Sequence, residues 1–461
     1  MLTRDQAAEI FEQIKKYSTA DEVEAMIYGG KFALTRFANN TIHQNVAEEN
    51  YSVSVRTAFG GRTARATTNK FDSDSLKRVV QASEILAKVQ HPDPDLLAMP
   101  GAGESPAPTR ARPSRHFAQT ARLTPELRAD AVEKIVRVAT RHKLITAGIF
   151  SSSESVEGIF NSRGLNDWHA QTSSEISITM LASDSSGWQK ANSPDANQLD
   201  PAALAEISAR KAIESARPRE IPAGKYTVIL EPAAVLDMSG FMFWDFGGLS
   251  ILDQRSFLNQ RVGTQIFGSN INIWDDAAHP LQSGPPFDGE GVPRQRVHLV
   301  ENGIVKRLVY ARATAEKMKK SEYKDKVGPV AATGHGFSLP NEMGEAPMNI
   351  VFDTPVDPNT VEQMIASTER GVLVTRLWYI REVDPYEKIL TGMTRDGTFY
   401  VENGRVRHGI LNFRFNESLI HMFSNVEAMG TPVRASGEES FDMVAPPMKV
   451  RDFNFTEVTK F

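Results

Sequence analysis

Histidine, cysteine and carboxylate side chains are the groups that hold metals and move protons, and their spacing decides which chemistry they can share. The 461-residue chain carries 57 acidic residues, ten histidines and no cysteine. The histidines are His43, His91, His116, His142, His169, His279, His298, His335, His408 and His421, and the closest two stand 13 positions apart. None is followed by Glu, so the chain has neither an HExxH nor an HExxxH helix, the local pattern that sets two ligands and a general base on one face. The missing thiols remove disulfides, thiolate ligands and a cysteine nucleophile together, and they suit a reducing compartment such as the cytoplasm. No G-x-S-x-G elbow is present for a serine nucleophile. Gly101-Ala102-Gly103 stands among prolines, without the strand and helix that a dinucleotide fingerprint needs.

Two polar clusters remain, Pro286-Phe287-Asp288-Gly289-Glu290-Gly291-Val292-Pro293 and Ala332-Thr333-Gly334-His335-Gly336. Glycines beside carboxylates or a histidine let backbone approach a ligand closely, and neutral His can act as a base near pH 7. The same residues also make ordinary turns. Asp245 adds a third carboxylate to Asp288 and Glu290 for a metal-free acid–base pair, but no spacing selects two of them.

These residues need a scaffold, and the length allows two to four domains at ~100–200 residues each. The sequence reads as an α+β protein. It divides into an N-terminal α+β domain at 1–91, a Pro-rich linker at 92–115, a central α+β domain at 116–217 and a β-rich C-terminal domain at 224–461. In the first domain a helix is expected over about residues 3–17, then strands from Asp21 to Thr68. A second helix at 73–89 is expected to bury Leu76, Val79, Val80, Ile85 and Leu86. The central domain repeats this plan. Thr124 caps a helix with Leu127, Ala131, Ile135 and Val138 as its stripe, strands run from Leu144 to Asn192, and Asp200-Pro201 opens a helix to about Ala216.

The period-two runs Tyr51–Val55 and Glu175–Met180 occupy equivalent places, as do Arg36–Asn39 and Ile159–Ser162, so the two segments read as an internal repeat. After Gly224 come a strand over 225–230, an apolar helix from Ala233 to about Phe246, and two hairpins centred on Asn302-Gly303 and Asn403-Gly404. Alternation at Gly371–Ile380 and Ile410–Phe415 adds further strands to a mainly antiparallel sheet.

The formal net charge is -5, with 52 basic residues scattered among the acidic ones, so the electrostatic footprint of a nucleic-acid binder is missing. The densest basic run, Lys317 to Lys326, is interrupted by Glu322 and Asp325 and reads as a solvated helix face. Gly240–Leu252 contains Asp245 and is too short for the ~20 residues of a membrane span. The start, Met1-Leu2-Thr3-Arg4-Asp5-Gln6, enters an amphipathic pattern without the apolar core of an export signal.

Phe287-Asp288-Gly289-Glu290-Gly291-Val292, Val300-Glu301-Asn302-Gly303, Thr333-Gly334-His335, Gly371–Thr375 and Val401-Glu402-Asn403-Gly404, in that order, resemble the TldD/PmbA family. Arg36–Asn40, Val53–Arg56 and Gly60-Gly61 resemble its first domain. The resemblance implies two smaller α+β domains and a large β-rich domain, assembled as a dimer or heterodimer around a lumen, with proteolysis of unfolded or flexible peptides. Its catalytic branch holds zinc with an HExxxH helix and a cysteine.

Here the helix slot reads Ala234-Val-Leu-Asp237-Met-Ser-Gly-Phe-Met-Phe-Trp244, and the cysteine slot falls near Leu377-Trp378-Tyr379. The chain is therefore similar to the PmbA (TldE-like) branch, the non-catalytic subunit. No cofactor of its own is expected; zinc belongs to a TldD-like partner, and the pairing is with that subunit or with a second copy. Phe287, Asp288, Glu290 and His335 are the residues expected to line the peptide space. A gyrase-modulator type of regulatory protein, which would show a basic face, and a metal-free hydrolase are the competing readings.

Overall fold

The structure is a computed structural model and describes residues 1–104 and 112–459; the stretch 105–111 of the expected linker lies outside the described residues. Its first part runs α1 (Arg4–Tyr17), β1 (Glu22–Ala38), β2 (Thr41–Phe59), β3 (Arg62–Thr68) and α2 (Ser73–Val89). The second runs α3 (Ala118–Ala121), α4 (Pro125–Arg141), β4 (Ile145–Asn161), β5 (Asn166–Leu181), β6 (Ser186–Ser193) and α5 (Pro201–Glu214). The long helices start where a side chain can take up their free N–H groups. Thr3 and Gln6 form a reciprocal capping box, Thr124 accepts from the N–H of Leu127, and Asp200 accepts from those of Ala202 and Ala203.

The two parts share one antiparallel sheet in the order β3-β2-β1-β4-β5-β6, joined where β1 pairs with β4 from Glu24–Asn161 to Phe37–Gly148. The period-two runs fall in corresponding middle strands: Val53 and Val55 on β2 and Ile176, Ile178 and Met180 on β5 are all fully buried. At the middle of β1, a Cβ on Gly29 would lie 2.1 Å from the Asn50 oxygen and one on Gly30 2.0 Å from the Glu154 oxygen. Only glycine lets the neighbouring strands close on β1 from both sides there.

Two expected faces need correction. On α2 the buried side is Leu76, Val79, Val80, Ser83, Glu84 and Ala87, whereas Ile85 and Leu86 are 65% and 45% exposed. At ~100° per residue Ile85 lies on the far side of the helix from Leu76, so the inward stripe passes through small and polar residues instead. On α4 the inward place beside Ala131 belongs to Arg128, and Leu127 is exposed. Arg128 is held by Thr35 Oγ1 at 3.1 Å and the Leu123 carbonyl at 3.0 Å, partners that keep a buried cation solvated.

The C-terminal part contains β7 (Gly224–Leu230), β8 (Ile273–Asp275), β9 (Val297–Glu301), β10 (Ile304–Val305), β11 (Ile350–Phe352) and β12 (Arg370–Asp384). It continues with β13 (Ile389–Glu402), β14 (Arg405–Gly409), β15 (Phe413–Ser418), β16 (Val426–Met429), β17 (Val433–Ala435), β18 (Met443–Ala445) and β19 (Met448–Val458). One sheet has the order β10-β9-β8-β11-β18-β17. In the other, β12-β7-β19-β15-β13 closes on itself because β12 also pairs with β13, leaving β14 and β16 as side branches. The described pairs in these sheets are antiparallel except β7·β12 and β11·β18. Both Asn-Gly turns have positive φ at each central residue, 51° and 75° at Asn302-Gly303 and 51° and 73° at Asn403-Gly404, as a type I′ hairpin requires.

Between the sheets lies the expected apolar helix, with a difference. It is α-helical as α6 (Pro232–Ser239) and then tightens to a 3₁₀ segment over Gly240–Phe246, followed by α7 (Gly248–Leu252) and, later, α8 (Arg312–Lys320). Gly240 marks the change: a Cβ there would sit 1.7 Å from Ser440 Oγ, so the chain can pass that loop only without a side chain. No helix among the described residues is long and apolar enough to cross a membrane.

Candidate functional site

The residues at the two slots meet around one loop. Pro232 starts α6 one residue after β7, and Ala234, Val235, Leu236 and Met238 are fully buried around it. Asp237 is the carboxylate of this turn. Its Oδ1 accepts from the N–H groups of Glu438 and Glu439, at 3.1 and 3.0 Å, while Oδ2 is buried without a partner. Burial pushes its carboxyl up to about 7. Gly437 makes the approach possible, since a Cβ would come within 2.1 Å of Asp237 Oδ1. From β12, the Tyr379 N–H donates to Glu439 Oε1 at 2.6 Å, and Leu377 beside it is fully buried. Glu439 therefore links the slots, its backbone on Asp237 and its carboxylate on Tyr379.

This arrangement does not fit zinc. A zinc site needs three or four imidazole, thiolate or carboxylate ligands converging at ~2.0–2.3 Å. Here the one carboxylate of the slots is already engaged by backbone donors, and the other slot positions carry no imidazole, thiolate or carboxylate. Among the described residues no group of three or more His, Cys, Asp or Glu side chains converges anywhere.

Beside the slot opens a cavity of about 440 Å³ lined by Phe241, Trp244 and Asp245 of the 3₁₀ segment and by Glu382, Lys388 and Glu439. Lys388 is nearly buried, with Nζ 2.6 Å from both Asp245 Oδ2 and Glu382 Oε1. Burial raises the Asp245 carboxyl, and the Lys388 ammonium opposes that shift without reversing it. Asp245 also shares no hydrogen-bond partner with Asp288 or Glu290. Of the three carboxylates weighed for a metal-free pair, Asp245 thus stands apart, while Asp288 and Glu290 lie side by side.

The four residues expected to line the peptide space lie together at the junction between the N-terminal sheet and the C-terminal part. All are buried: Phe287 is 2% exposed, Asp288 2%, Glu290 4% and His335 1%. Phe287 packs with Ile159, Leu165 and Met26 of the sheet. Asp288 Oδ1 accepts from the N–H groups of Glu290 and Val292, both at 2.9 Å, and Oδ2 from that of Gly336 at 2.7 Å, which ties the two polar loops together. Burial raises its carboxyl. Glu290 Oε1 accepts from the Arg312 N–H at the start of α8, 3.0 Å away, and burial followed by the Asp288 charge pushes its carboxyl up to about 7.

His335 Nδ1 is 3.0 Å from Thr333 Oγ1, and Nε2 is 3.0 Å from Asp275 Oδ1, close enough for an ion pair but off the line of a hydrogen bond. Burial works to raise Asp275, but His335, the Arg294 charge and the Asn349 N–H together outweigh it and hold that carboxyl below its usual range. Asp275, Glu345 and Lys388 escape a reading by sequence, because each meets its partners from a distant segment and no local motif marks it. Glu345 accepts from the N–H groups of Leu249 and Ala311, anchoring α7 and α8 to the same cluster.

Three family models cover this layout: PmbA/TldA metallopeptidase domain 1 matches residues 23–87, the central domain 120–216, and the C-terminal domain 223–457. The chain is 22% identical over 403 residues to the metalloprotease PmbA of Escherichia coli O157:H7, covering 84% of this chain and 83% of that one. A PmbA homologue of Haemophilus influenzae is 22% identical over 399 residues, 83% and 81% of the two chains. In fold it is similar to the crystal structure of TldE from Thermococcus kodakarensis, with a TM-score of 0.84, 19% identity, and coverage of 98% and 100%. A putative modulator of a DNA gyrase from Thermotoga maritima is as similar, with a TM-score of 0.84, 20% identity, and coverage of 98% and 99%. With matches in all three parts spanning most of its length, this chain belongs to the PmbA/TldD metallopeptidase family.

Proposed function

We propose that this chain is the non-catalytic subunit of a TldD/TldE-type peptidase that acts on unfolded or flexible peptides, contributing assembly and peptide holding beside a zinc-bearing homologue. The observation that supports it most is Asp237, which occupies the slot for the zinc-binding helix as a structural acceptor for the backbone of Glu438 and Glu439. In a metallopeptidase the metal lowers the pKa of the attacking water, so on this reading cleavage falls to the partner.

Peptide is held as an extended segment, through main-chain hydrogen bonds that ask little of its sequence. Because Phe287, Asp288, Glu290 and His335 are buried, their part is indirect: they fix the loops that join the N-terminal sheet to the wall presented to peptide. The test is a peptidase assay and metal analysis of the chain alone and mixed with a zinc-bearing homologue from the same cell. The chain alone is expected to be inert and to carry no stoichiometric zinc, and the mixture to cleave. Chelator-sensitive turnover by the isolated chain with one bound zinc would refute the reading, and unchanged processing by a mixture containing alanine at all four residues would refute their role.

A further inference from the structure

The cavity beside the slot, about 440 Å³, is of a size that takes a side chain or a small ligand. Its walls are of two kinds, aromatic at Phe241, Trp244 and Phe441 and acidic at Asp245, Glu382 and Glu439. Two of the rings are fixed from behind. Trp244 stacks on Phe337 with centroids 5.7 Å apart, and Phe441 meets Phe243 edge-on at 6.4 Å. Trp244 stays 43% exposed, so ring area remains for a ligand to cover. We propose that this cavity takes the basic side chain of a bound peptide, arginine in preference to lysine. The inference rests on the peptide-holding role proposed above and adds to it a choice of side chain.

The balance of charge carries the assignment. Lys388, the nearly buried cation of the wall, has spent its three N–H donors: Nζ lies 2.6 Å from both Asp245 Oδ2 and Glu382 Oε1, and 3.4 Å from the Phe241 carbonyl oxygen. It has none left for an anion. Arg255, the other cation of the lining, is exposed and paired with exposed Asp253, Nη2 to Oδ2 at 2.6 Å. On the acidic side, Glu382 uses one oxygen on Lys388, and Glu439 uses one on the Tyr379 N–H. Arg381 Nη1 stands 3.8 Å from the second oxygen of Glu439, beyond a hydrogen bond, and donates instead to the Ile380 carbonyl at 2.6 Å. Asp245, Glu382 and Glu439 are thus set against Lys388 and Arg381, which leaves one negative charge in excess and carboxylate oxygens able to accept. A single monovalent cation neutralises the cavity, and an anion is repelled from it.

Ammonium and guanidinium both meet the charge, and the aromatic wall separates them. A guanidinium is planar and weakly hydrated, so it lies flat on a ring while its N–H groups reach sideways to carboxylates. The neighbouring strands already show the arrangement: the Arg381 guanidinium lies 4.5 Å over the Tyr379 ring, and that of Arg395 4.7 Å over Trp378. A divalent metal does not fit, since no three metal-binding side chains converge among the described residues. Main-chain pairing asks little of a peptide's sequence, so a pocket of this kind is where a preference enters.

Calorimetric titration of the purified chain with N-acetyl-arginine methylamide, its lysine analogue and the neutral isostere N-acetyl-citrulline methylamide tests the cavity without any cleavage. Arginine is expected to bind about tenfold or more tighter than citrulline, with lysine between them. Glu382→Gln removes the excess charge, leaves Lys388 its Asp245 partner, and is expected to erase the difference between arginine and citrulline. Trp244→Leu is expected to weaken arginine about tenfold. Circular dichroism of both variants should match the wild type. An unstructured peptide with one arginine, set against the same peptide with citrulline, should give the same ratio. Equal affinity for arginine and citrulline, indifference of arginine to both variants, or binding of free agmatine but not of the peptide would overturn the inference. Failure here with cleavage by the two-subunit mixture intact removes this site alone; binding here without cleavage by the mixture refutes the peptidase reading and leaves the cavity its occupant.

Discussion

Phe37 and Phe160 are exchanged between the two halves of the N-terminal sheet: Phe37, near the end of β1, is buried in the core under α4 and α5, and Phe160, near the end of β4, in the core under α1 and α2. Phe160 stacks on Phe11 of α1 with ring centroids 5.9 Å apart. The first strand of each half is long enough to cross into the other, so neither half completes its core alone. Truncating either ring to Ala should cost ~3–5 kcal/mol. Hydrogen exchange should show Phe37→Ala loosening α4 and α5 first and Phe160→Ala loosening α1 and α2; protection lost on the truncated strand's own side first would contradict the exchange.

Glu290 and Asp237, both pushed up to about 7, make stability fall as pH rises. Their unfolded counterparts titrate near ~4, so between ~4 and ~7 the folded chain binds more protons than the unfolded one. The contribution is complete below that window and is lost on passing through it, at up to ~1.4 kcal/mol per pH unit for each group. Asp275, held low, acts in the opposite direction and only in more acidic solution. Thermal melts from pH 5 to 8 should show the wild type losing stability, with a shallower slope in Glu290→Gln.

At Asp237 the two isosteric questions separate. Asp237→Asn keeps an acceptor for the Glu438 and Glu439 N–H groups and removes a charge whose second oxygen has no partner, so it should be neutral to stabilising at pH 8. Asp237→Ala strands both donors and should cost about 1–3 kcal/mol. Chemical denaturation of the two variants gives the comparison, and a larger loss in Asn than in Ala would show that the carboxylate has another use.

His335 and Asp275 are both fully buried and Asp275 is held low, so removing His335 leaves a carboxylate without that partner inside the protein. His335→Ala should destabilise by about 3–5 kcal/mol. The expected signature is an early loss of protection in the loops 286–293 and 333–336 ahead of β7 and β12, followed by exchange mass spectrometry.

Much of the fold could be read from the chain because its signals are local. Thr3, Thr124 and Asp200 start helices within one turn of themselves, and Asn-Gly imposes its hairpin wherever it occurs. The faces of α2 and α4 were less legible, since which side of an amphipathic helix turns inward depends on the sheet it meets. Ile85 and Leu86 look like core residues until β2 and β3 take the Ser83 and Ala87 side. Ring closure between β12 and β13 had no local mark at all. In the candidate site, Asp288 and His335 were recognisable by their glycine neighbours, but the Phe287 beside them packs on Met26, Ile159 and Leu165, residues more than a hundred positions away.

A circle of strands has no first or last member. Because β12-β7-β19-β15-β13 closes, a guest segment cannot extend it and is left with short borders: β10 with two residues, β17 with three, β16 with four and β14 with five. Each can offer only a brief handhold, too small to retain a chain by itself. On the reading proposed above, such borders favour a brief grip and ready release over lasting capture.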